Sequence, residues 1–565
     1  MGVRRAVEMV LDAPAKHENP IYTYGPLIHN PQVLQLLKER GISILSDIPA
    51  RGRGTVLIRA HGVPPESKKR LLKAGFRTID ATCPRVIKVQ NIIRTHSQQG
   101  YASIIIGDRD HPEVIGLLGY AGERGYVVDT VEDLEKLPPF EKAIVVAQTT
   151  QNTFFYDRVK AEVQKQFPHY RIFDTICDST EKRQAEVRSL AASVDALIVV
   201  GGRNSGNTQR LVEIAKESRR PVYHMEEASE LNPAVLAGAK TIGITAGAST
   251  PNWIIRRVYR ALEAIPFSRA RGGLRILFNL QRALLLTNIY VAAGAGCLCY
   301  AGLKLQGIAS DFSHVLISVL YVQSMHILNH LTGITADHYN DPDRASFYKS
   351  HMVLLTALAL TAGAAGLLIA FVSGTIPFLL LLVMSTLGLS YNFRLIPDRL
   401  KGFKIRRIRD IPGSKTFLIA AAWGMVTSIL PALSVSGKIG LGAWIVFFWS
   451  VCMVFVRTAF FDILDMQGDR IVGKETLPIL LGEKRTLTLL NYILAATVVL
   501  LVLASAMHLI SGLGFLLALS TIFIYTVISV HKKGGMLPGM RLEFLVESHF
   551  VLAGIATFLW SAAVF

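Results

Sequence analysis

The chain has 565 residues, 51% hydrophobic and only 18% charged, with a formal net charge of +18. This composition excludes a disordered or fibrous chain and is too apolar overall for an ordinary soluble enzyme. Its five cysteines exclude a disulfide-stapled secreted domain and favour a reducing compartment. The positive balance leaves nucleic acid, a membrane surface or a polyanionic substrate open, so the placement of the charges decides.

The head, MGVRRAVEMVLDA, reads as a helix with neither a strand nor an apolar signal core before it. Through residue 266 one grammar then recurs: an apolar strand, a polar or sulfur residue, a helix start. IYTYGPLI leads to His29, GTVLIRA to His61, FRTIDAT to Cys83 and YASIIIGDRD to His111-Pro112-Glu113. KAIVVAQ leads to Thr149, YRIFDTI to Cys177, DALIVVGGRN to Ser205-Gly206-Asn207, and TIGITAGA to Ser249. Strands alternating with helices predict parallel sheets flanked by helices. Ligands of such sheets bind at the carboxyl ends of the strands, where helix N-termini offer free N–H groups. The hydroxyls and the Asn are also ordinary helix caps, but His is not a preferred cap, and three at this position suit a phosphorylated ligand. GGRNSGNTQRL lacks the Lys of a nucleotide-binding P-loop, which argues against ATP.

Taken alone, Cys83 and Cys177 read equally as buried thiols or as ligands. They lie 94 residues apart, and a similar step back from Cys83 falls upstream of Met1. The layout therefore looks like three strand–helix lobes, each bringing one Cys to a common centre. Three thiolates suit an iron–sulfur cluster with one iron open.

Here a resemblance becomes specific. MGVRRAVEM, GPLIHNP, RAHGVPP, DATCPRV, DHPEVIGLLGY, QTTQN, DTICDST, NSGNTQRL and TAGAS resemble the 4-hydroxy-3-methylbut-2-enyl diphosphate reductases of the non-mevalonate isoprenoid pathway, nearly end to end over 1–265. The resemblance implies a 4Fe–4S cluster on Cys83 and Cys177. The first of the three family ligands directly precedes the position of Met1, so the chain as written is expected to bind iron poorly. It implies that His29, His61, His111, Ser205, Gly206, Asn207 and Ser249 hold the diphosphate or orient the substrate. Glu113 becomes the proton source and Thr149 its relay or positioner. Gly206 departs from the family, which usually has a second Ser there. Small-molecule diphosphates and an electron donor such as ferredoxin or flavodoxin are the implied partners.

PFSRARGGLRILFNLQRA, around 267–282, is basic and amphipathic and suits a membrane surface. Nine apolar runs follow: 283–303, 312–332, 351–373, 376–391 (short), 415–435, 440–461, 488–510, 512–530 and 545–565. The loop 392–415 carries Arg394, Arg399, Lys401, Lys404, Arg406, Arg407, Arg409 and Lys415, whereas alternate loops hold little beyond Lys304 and Lys438. The positive-inside rule makes the basic loops and the N-terminal half cytoplasmic, in a bacterial inner membrane. A lipid bilayer thus accounts for much of the charge; no nucleic-acid motif appears, and no nucleic-acid partner is expected.

After the sixth run, FFDILDMQGDRIVGKETLPILLGEK places Asp462, Asp465 and Asp469 on one helical face. They read as a solvated acidic turn or as a Mg²⁺ site for a diphosphate. The segment is similar to the second Asp motif of UbiA-type intramembrane prenyltransferases, a likeness covering about 280–565. That implies Mg²⁺ on Asp462, Asp465 and Asp469, and on the first motif, NHLTGITADHYNDPDR. The first motif keeps Asn329 and Asp337 but has His330 and Gly333 at its other acidic positions. The expected fold is an α/β soluble domain of three pseudo-threefold strand–helix lobes (1–266), a linker (267–282) and an all-α membrane domain of about nine transmembrane helices (283–565). The expected protein is a reductase fused to an intramembrane prenyltransferase for a lipid-soluble acceptor. The rival is a non-catalytic diphosphate-binding membrane scaffold that has lost its cluster. A transporter is disfavoured, because most acidic residues lie at loops rather than within spans.

Overall fold

The computed structural model describes residues 2–28, 30–269, 273–309, 311–391, 411, 413–472 and 474–564. The chain divides into two compact units, Met1–Val258 and Tyr259–Phe565.

Among its described residues the first unit holds eleven strands. β1 (Ile21–Tyr24), β2 (Ile42–Leu45), β3 (Thr55–Ile58) and β4 (Arg77–Asp80) form one sheet in the order β2-β1-β3-β4. β5 (Ala102–Ile106), β6 (Gly125–Val128), β7 (Ala143–Ala147) and β8 (Arg171–Ile172) form a second, β6-β5-β7-β8. β9 (Ala196–Val200), β10 (Val222–Met225) and β11 (Ile242–Ala246) form a third, β10-β9-β11. Every pairing is parallel. The central strands ASIII, AIVVA and ALIVV are buried along their whole length, as expected of parallel strands covered by helices on both faces.

In each sheet the chain lays its second strand on one side of the first and its third on the other. This creates a switch point between β1 and β3, β5 and β7, and β9 and β11, where the chain diverges and leaves a crevice. The sequence candidates His29, His61, His111, Thr149, Ser205 and Ser249 follow these six strands. Cys83 and Cys177 follow the edge strands β4 and β8.

In the second unit, seven helices are long and apolar enough to cross a bilayer: Phe312–Ile334, Met352–Ser373, Ser414–Ser436, Leu441–Arg470, Glu483–Ala506, Leu513–Lys532 and Met540–Ala563. An eighth exists if Arg275–Leu286 and Ile289–Leu305, bent by 74°, count as one span. The bend falls at Asn288, which adopts a left-handed backbone and donates Nδ2–H to Tyr348 Oη at 2.6 Å. Thr375–Ser390, matching the fourth apolar run, is shorter than the others. Among the described residues, seven or eight helices thus meet the length and hydropathy of a full span.

The interior is built on Trp449, Phe460, Phe550 and Trp423, while Val353, Leu360, Leu368 and Val372 leave Met352–Ser373 with an exposed apolar face. Such a face suits hydrocarbon, which is as apolar as the side chains themselves. Pro431 accompanies a π-turn, Met425–Ile429, inside Ser414–Ser436, because its ring cannot donate to the helical ladder.

Candidate functional site

The first site lies where the switch-point loops of the N-terminal unit meet. Cys83 caps the helix Pro84–Ser97 and Cys177 caps Asp178–Ser193, so both residues sit at the positive end of a helix. Their loops are joined by an ion pair, Arg85 Nη2 to Asp178 Oδ2, at 2.6 Å. Cys83 N–H donates to Ala60 O at 2.9 Å, next to His61, and Cys177 N–H donates to Thr149 O at 2.9 Å. The backbone of Gly2 abuts Cys83, since a Cβ added at Gly2 would collide with Sγ. The first helix, Gly2–Lys16, thus starts beside this thiol.

Glu113 is 2% exposed and held by Thr149, whose N–H donates to Oε1 at 2.7 Å and whose hydroxyl donates to Oε2 at 3.0 Å. Burial dominates those two hydrogen bonds and pushes the carboxyl up to about 7. His111 Nδ1 accepts from Glu113 N–H at 3.1 Å, which places the ring proton on Nε2. The rings of His61 and His111 meet edge to face at 5.3 Å. Gly206 lies against the same ring: a Cβ there would stand 3.3 Å from His111 Cδ2. Ser205 Oγ is 3.3 Å from Ser249 Oγ, and Asn207 Nδ2 is buried with no hydrogen-bond partner among the described residues. Arg210 reaches from the Ser205 helix to Asp108 at 2.9 Å and ties the loops of the second and third sheets.

Two positions depart from the expected helix starts. The helix after β3 begins only at Pro65, because the chain first turns through Gly62 at φ +74°. The helix after β7 is capped by Asn152, so Thr149 lies in the preceding turn, free to face Glu113. His29 falls outside the described residues.

The second site is in the helical unit. Asp462 and Asp469 are buried on Leu441–Ile471, with Asp465 partly buried between them. Asp462 Oδ2 accepts from Thr416 at 2.7 Å, and Lys415 Nζ is 3.7 Å from Oδ1. Asp469 Oδ1 accepts from Asn340 at 2.9 Å, and Lys474 is 3.6 Å away. Asp469 Oδ2 is buried without a hydrogen-bond partner among the described residues. A buried unpaired carboxylate oxygen beside two further aspartates fits an oxygen-seeking divalent cation. Asp337 is bonded instead to His330 (Oδ2 to Nδ1, 2.7 Å), and Arg344 Nη1 stands 3.3 Å from His330 Nε2. Asn329, the residue before His330 on the same helix, is partly exposed. Among the described residues no three His, Cys, Asp or Glu side chains already converge as a closed metal cage.

Residues 1–263 match the LytB protein family and residues 289–536 the UbiA prenyltransferase family. The 4-hydroxy-3-methylbut-2-enyl diphosphate reductase of Aquifex aeolicus (strain VF5) is 42% identical over 267 residues, 47% of this chain and 92% of that protein. That of Pelobacter propionicus is 43% identical over 257 residues, 46% of this chain and 91% of that protein. The chain belongs to the 4-hydroxy-3-methylbut-2-enyl diphosphate reductase family.

A solved (E)-4-hydroxy-3-methyl-but-2-enyl diphosphate reductase is 42% identical, with coverages of 46% and 95% and a TM-score of 0.38. A UbiA homolog from Archaeoglobus fulgidus bound to GPP and Mg²⁺ is 18% identical, with coverages of 49% and 99% and a TM-score of 0.36. The chain is a fusion of a reductase-family unit and a UbiA-family domain. In the reductase-family unit, sequence reading missed Arg85 and Asp178, whose pairing depends on two loops 93 residues apart. In the UbiA-family domain it missed Asn340, Arg344 and Thr416. Their only local signal was proximity to a motif.

Proposed function

We propose that the N-terminal unit reduces 4-hydroxy-3-methylbut-2-enyl diphosphate to isopentenyl and dimethylallyl diphosphate. The allylic C–O bond breaks, the oxygen leaves as water, and two electrons and two protons enter. The observation that carries this reading is Glu113, a buried carboxyl poised near neutrality and clamped by Thr149 within the ring of switch-point loops. In the reading, Glu113 delivers a proton to the substrate and Thr149 fixes the direction of delivery. His61, His111, Ser205, Gly206 N–H, Asn207 and Ser249, with His29, hold the diphosphate. Cys83 and Cys177 hold a 4Fe–4S cluster, which when bound supplies the electrons that no side chain can provide. An external carrier such as ferredoxin or flavodoxin replenishes them.

The proposal extends to architecture. Three lobes stand around one centre in pseudo-threefold fashion, consistent with the repeated strand order and with thiols after equivalent strands β4 and β8. The domains run 1–266, 267–282 and 283–565. The helical domain crosses a bacterial inner membrane nine times, with the reductase unit in the cytoplasm. There it transfers a prenyl group from a Mg²⁺-bound diphosphate to a lipid-soluble acceptor, and Asp462, Asp465 and Asp469 hold the ion.

The test is to express the natural gene, reconstitute the protein anaerobically and supply a chemical reductant with the hydroxylated diphosphate. Both five-carbon diphosphates should form, and Cys83→Ser and Glu113→Gln should remove them. Undiminished turnover in either variant would overturn the assignment.

A further inference from the structure

We infer that the UbiA-family domain takes one divalent cation, at the second aspartate motif, and that its first motif is a cation-free clasp closed by His330 and Arg344. The inference deepens the prenyl-transfer reading, which supplies the diphosphate as ligand.

The geometry closes His330 on both sides. Its Nε2 lies 3.3 Å from Arg344 Nη1 and its Nδ1 lies 2.7 Å from Asp337 Oδ2. The ring is already engaged at both nitrogens. So is one oxygen of Asp337, the acidic residue that the first motif keeps. The remaining acidic position is Gly333, which has no side chain to offer.

Arg344 is not free to withdraw. Its Nη2 donates to Glu543, its Nε is 3.5 Å from Asp341, and its backbone N–H donates to Asp341 Oδ1 at 3.2 Å. Arg260 pairs with the same two carboxylates, at Asp341 Oδ1 and, at 3.6 Å, Glu543 Oε2. A cation entering beside His330 would meet a guanidinium that two acids, Asp341 and Glu543, hold in place. The second motif is the reverse case. Three aspartates share one helical face, and Asp469 Oδ2 lacks a donor among the described residues. Lys415 and Lys474, 3.7 and 3.6 Å from Asp462 and Asp469, supply the fixed positive charge that a second ion would otherwise bring to the diphosphate.

The test counts Mn²⁺ on the full chain in detergent, with inorganic pyrophosphate present, by equilibrium dialysis. The count on a variant lacking both motifs, Asp337→Ala with Asp462→Ala/Asp465→Ala/Asp469→Ala, is subtracted as background. The wild type should give one ion. His330→Asp/Gly333→Asp should give two, and Mn²⁺ should raise its melting temperature more than that of the wild type. A side chain at Gly333 meets no described heavy atom within 4 Å, so the new carboxylate has room. Two ions on the wild type, or one on the folded double variant, would overturn the inference. If the double variant does not fold, the wild-type count and Gly333→Asp decide: both should give one, and two on either sinks the clasp. None of these readings uses prenyl transfer, so a domain that transfers nothing would still return its ion count.

Discussion

At the scale of single residues, Glu113 sets the pH response of the first site. Its carboxyl is raised from 4.5 to about 7 by burial, so the protonated form needed for delivery declines as pH rises through that value. Turnover should fall above pH 7 on this account. Glu113→Gln should lower kcat by about 10²–10⁴-fold and abolish that limb, measured by product formation across pH 6–9. The stability sign follows from the same shift. The unfolded carboxyl ionises first, so the contribution of Glu113 is fully present below pH 4.5 and lost as pH passes 7. Denaturant midpoints should therefore show a slope in this window that Glu113→Gln lacks. Glu113 was legible because Pro112-Glu113 follows a strand and a His. Its raised proton affinity was not, because it comes from burial by loops distant in sequence, against two hydrogen bonds from Thr149, 36 residues away, that lower it. Gly206, noticed only as a departure from the family, has a steric reason in the ring of His111. Gly206→Ser should cost little affinity for the diphosphate if the ring can give by a few tenths of an ångström, as isothermal titration would report.

At the scale of elements, the strands found in the sequence are those that end in a chemical residue. β2, β6 and β10 were overlooked. All three are edge strands beside the first strand of their sheet, short and followed by no candidate ligand. Edge position also exposes them, so ISIL carries a mixed burial pattern where ALIVV is uniformly buried. The apolar runs were easier, because bilayer thickness imposes a length that survives without any tertiary partner. The bend at Asn288 left no such trace. Helix crossings carry a prediction too. Gly468 faces Asn340 so closely that any Cβ would collide with Asn340 Oδ1, and Asn340 donates to Asp469. Gly468→Ala should destabilise the domain by about 1–3 kcal/mol and loosen that hydrogen bond. In membranes supplied with a labelled prenyl diphosphate, it should slow transfer less than Asp465→Ala or Asp469→Ala, which should eliminate it.

At the scale of the whole molecule, the helix Asn252–Arg269 passes from one compact unit into the other. Arg260 pairs with Asp341 and Glu543, and Glu263 accepts from the N–H groups of Met540 and Arg541 at 2.9 and 3.1 Å, capping the last helix. A fragment starting at Tyr259 should therefore be stable in detergent. One starting at residue 283, where the apolar runs begin, leaves two partly buried acids with one arginine instead of two and should melt lower. Thermal melts of the two fragments would separate these outcomes, and equal stability would show that the pairing is dispensable. Hydropathy could not have placed this boundary, because Arg260 and Glu263 precede the first apolar run and look like ordinary surface charges.

The pairing of Arg260 with Glu543 also imposes a timetable. Translation at about 5–20 residues per second separates their emergence by roughly 15–60 s. By the end of that interval every apolar segment but the last has been made, while the acid that completes the arginine's surroundings is only then emerging. The domain thus carries a built-in completion check, closed only when the C-terminal helix arrives. Ribosomal pausing or premature termination before Glu543 would leave Arg260 and Arg344 without one of their shared acids, an unsatisfied cationic pair for quality-control proteases to find.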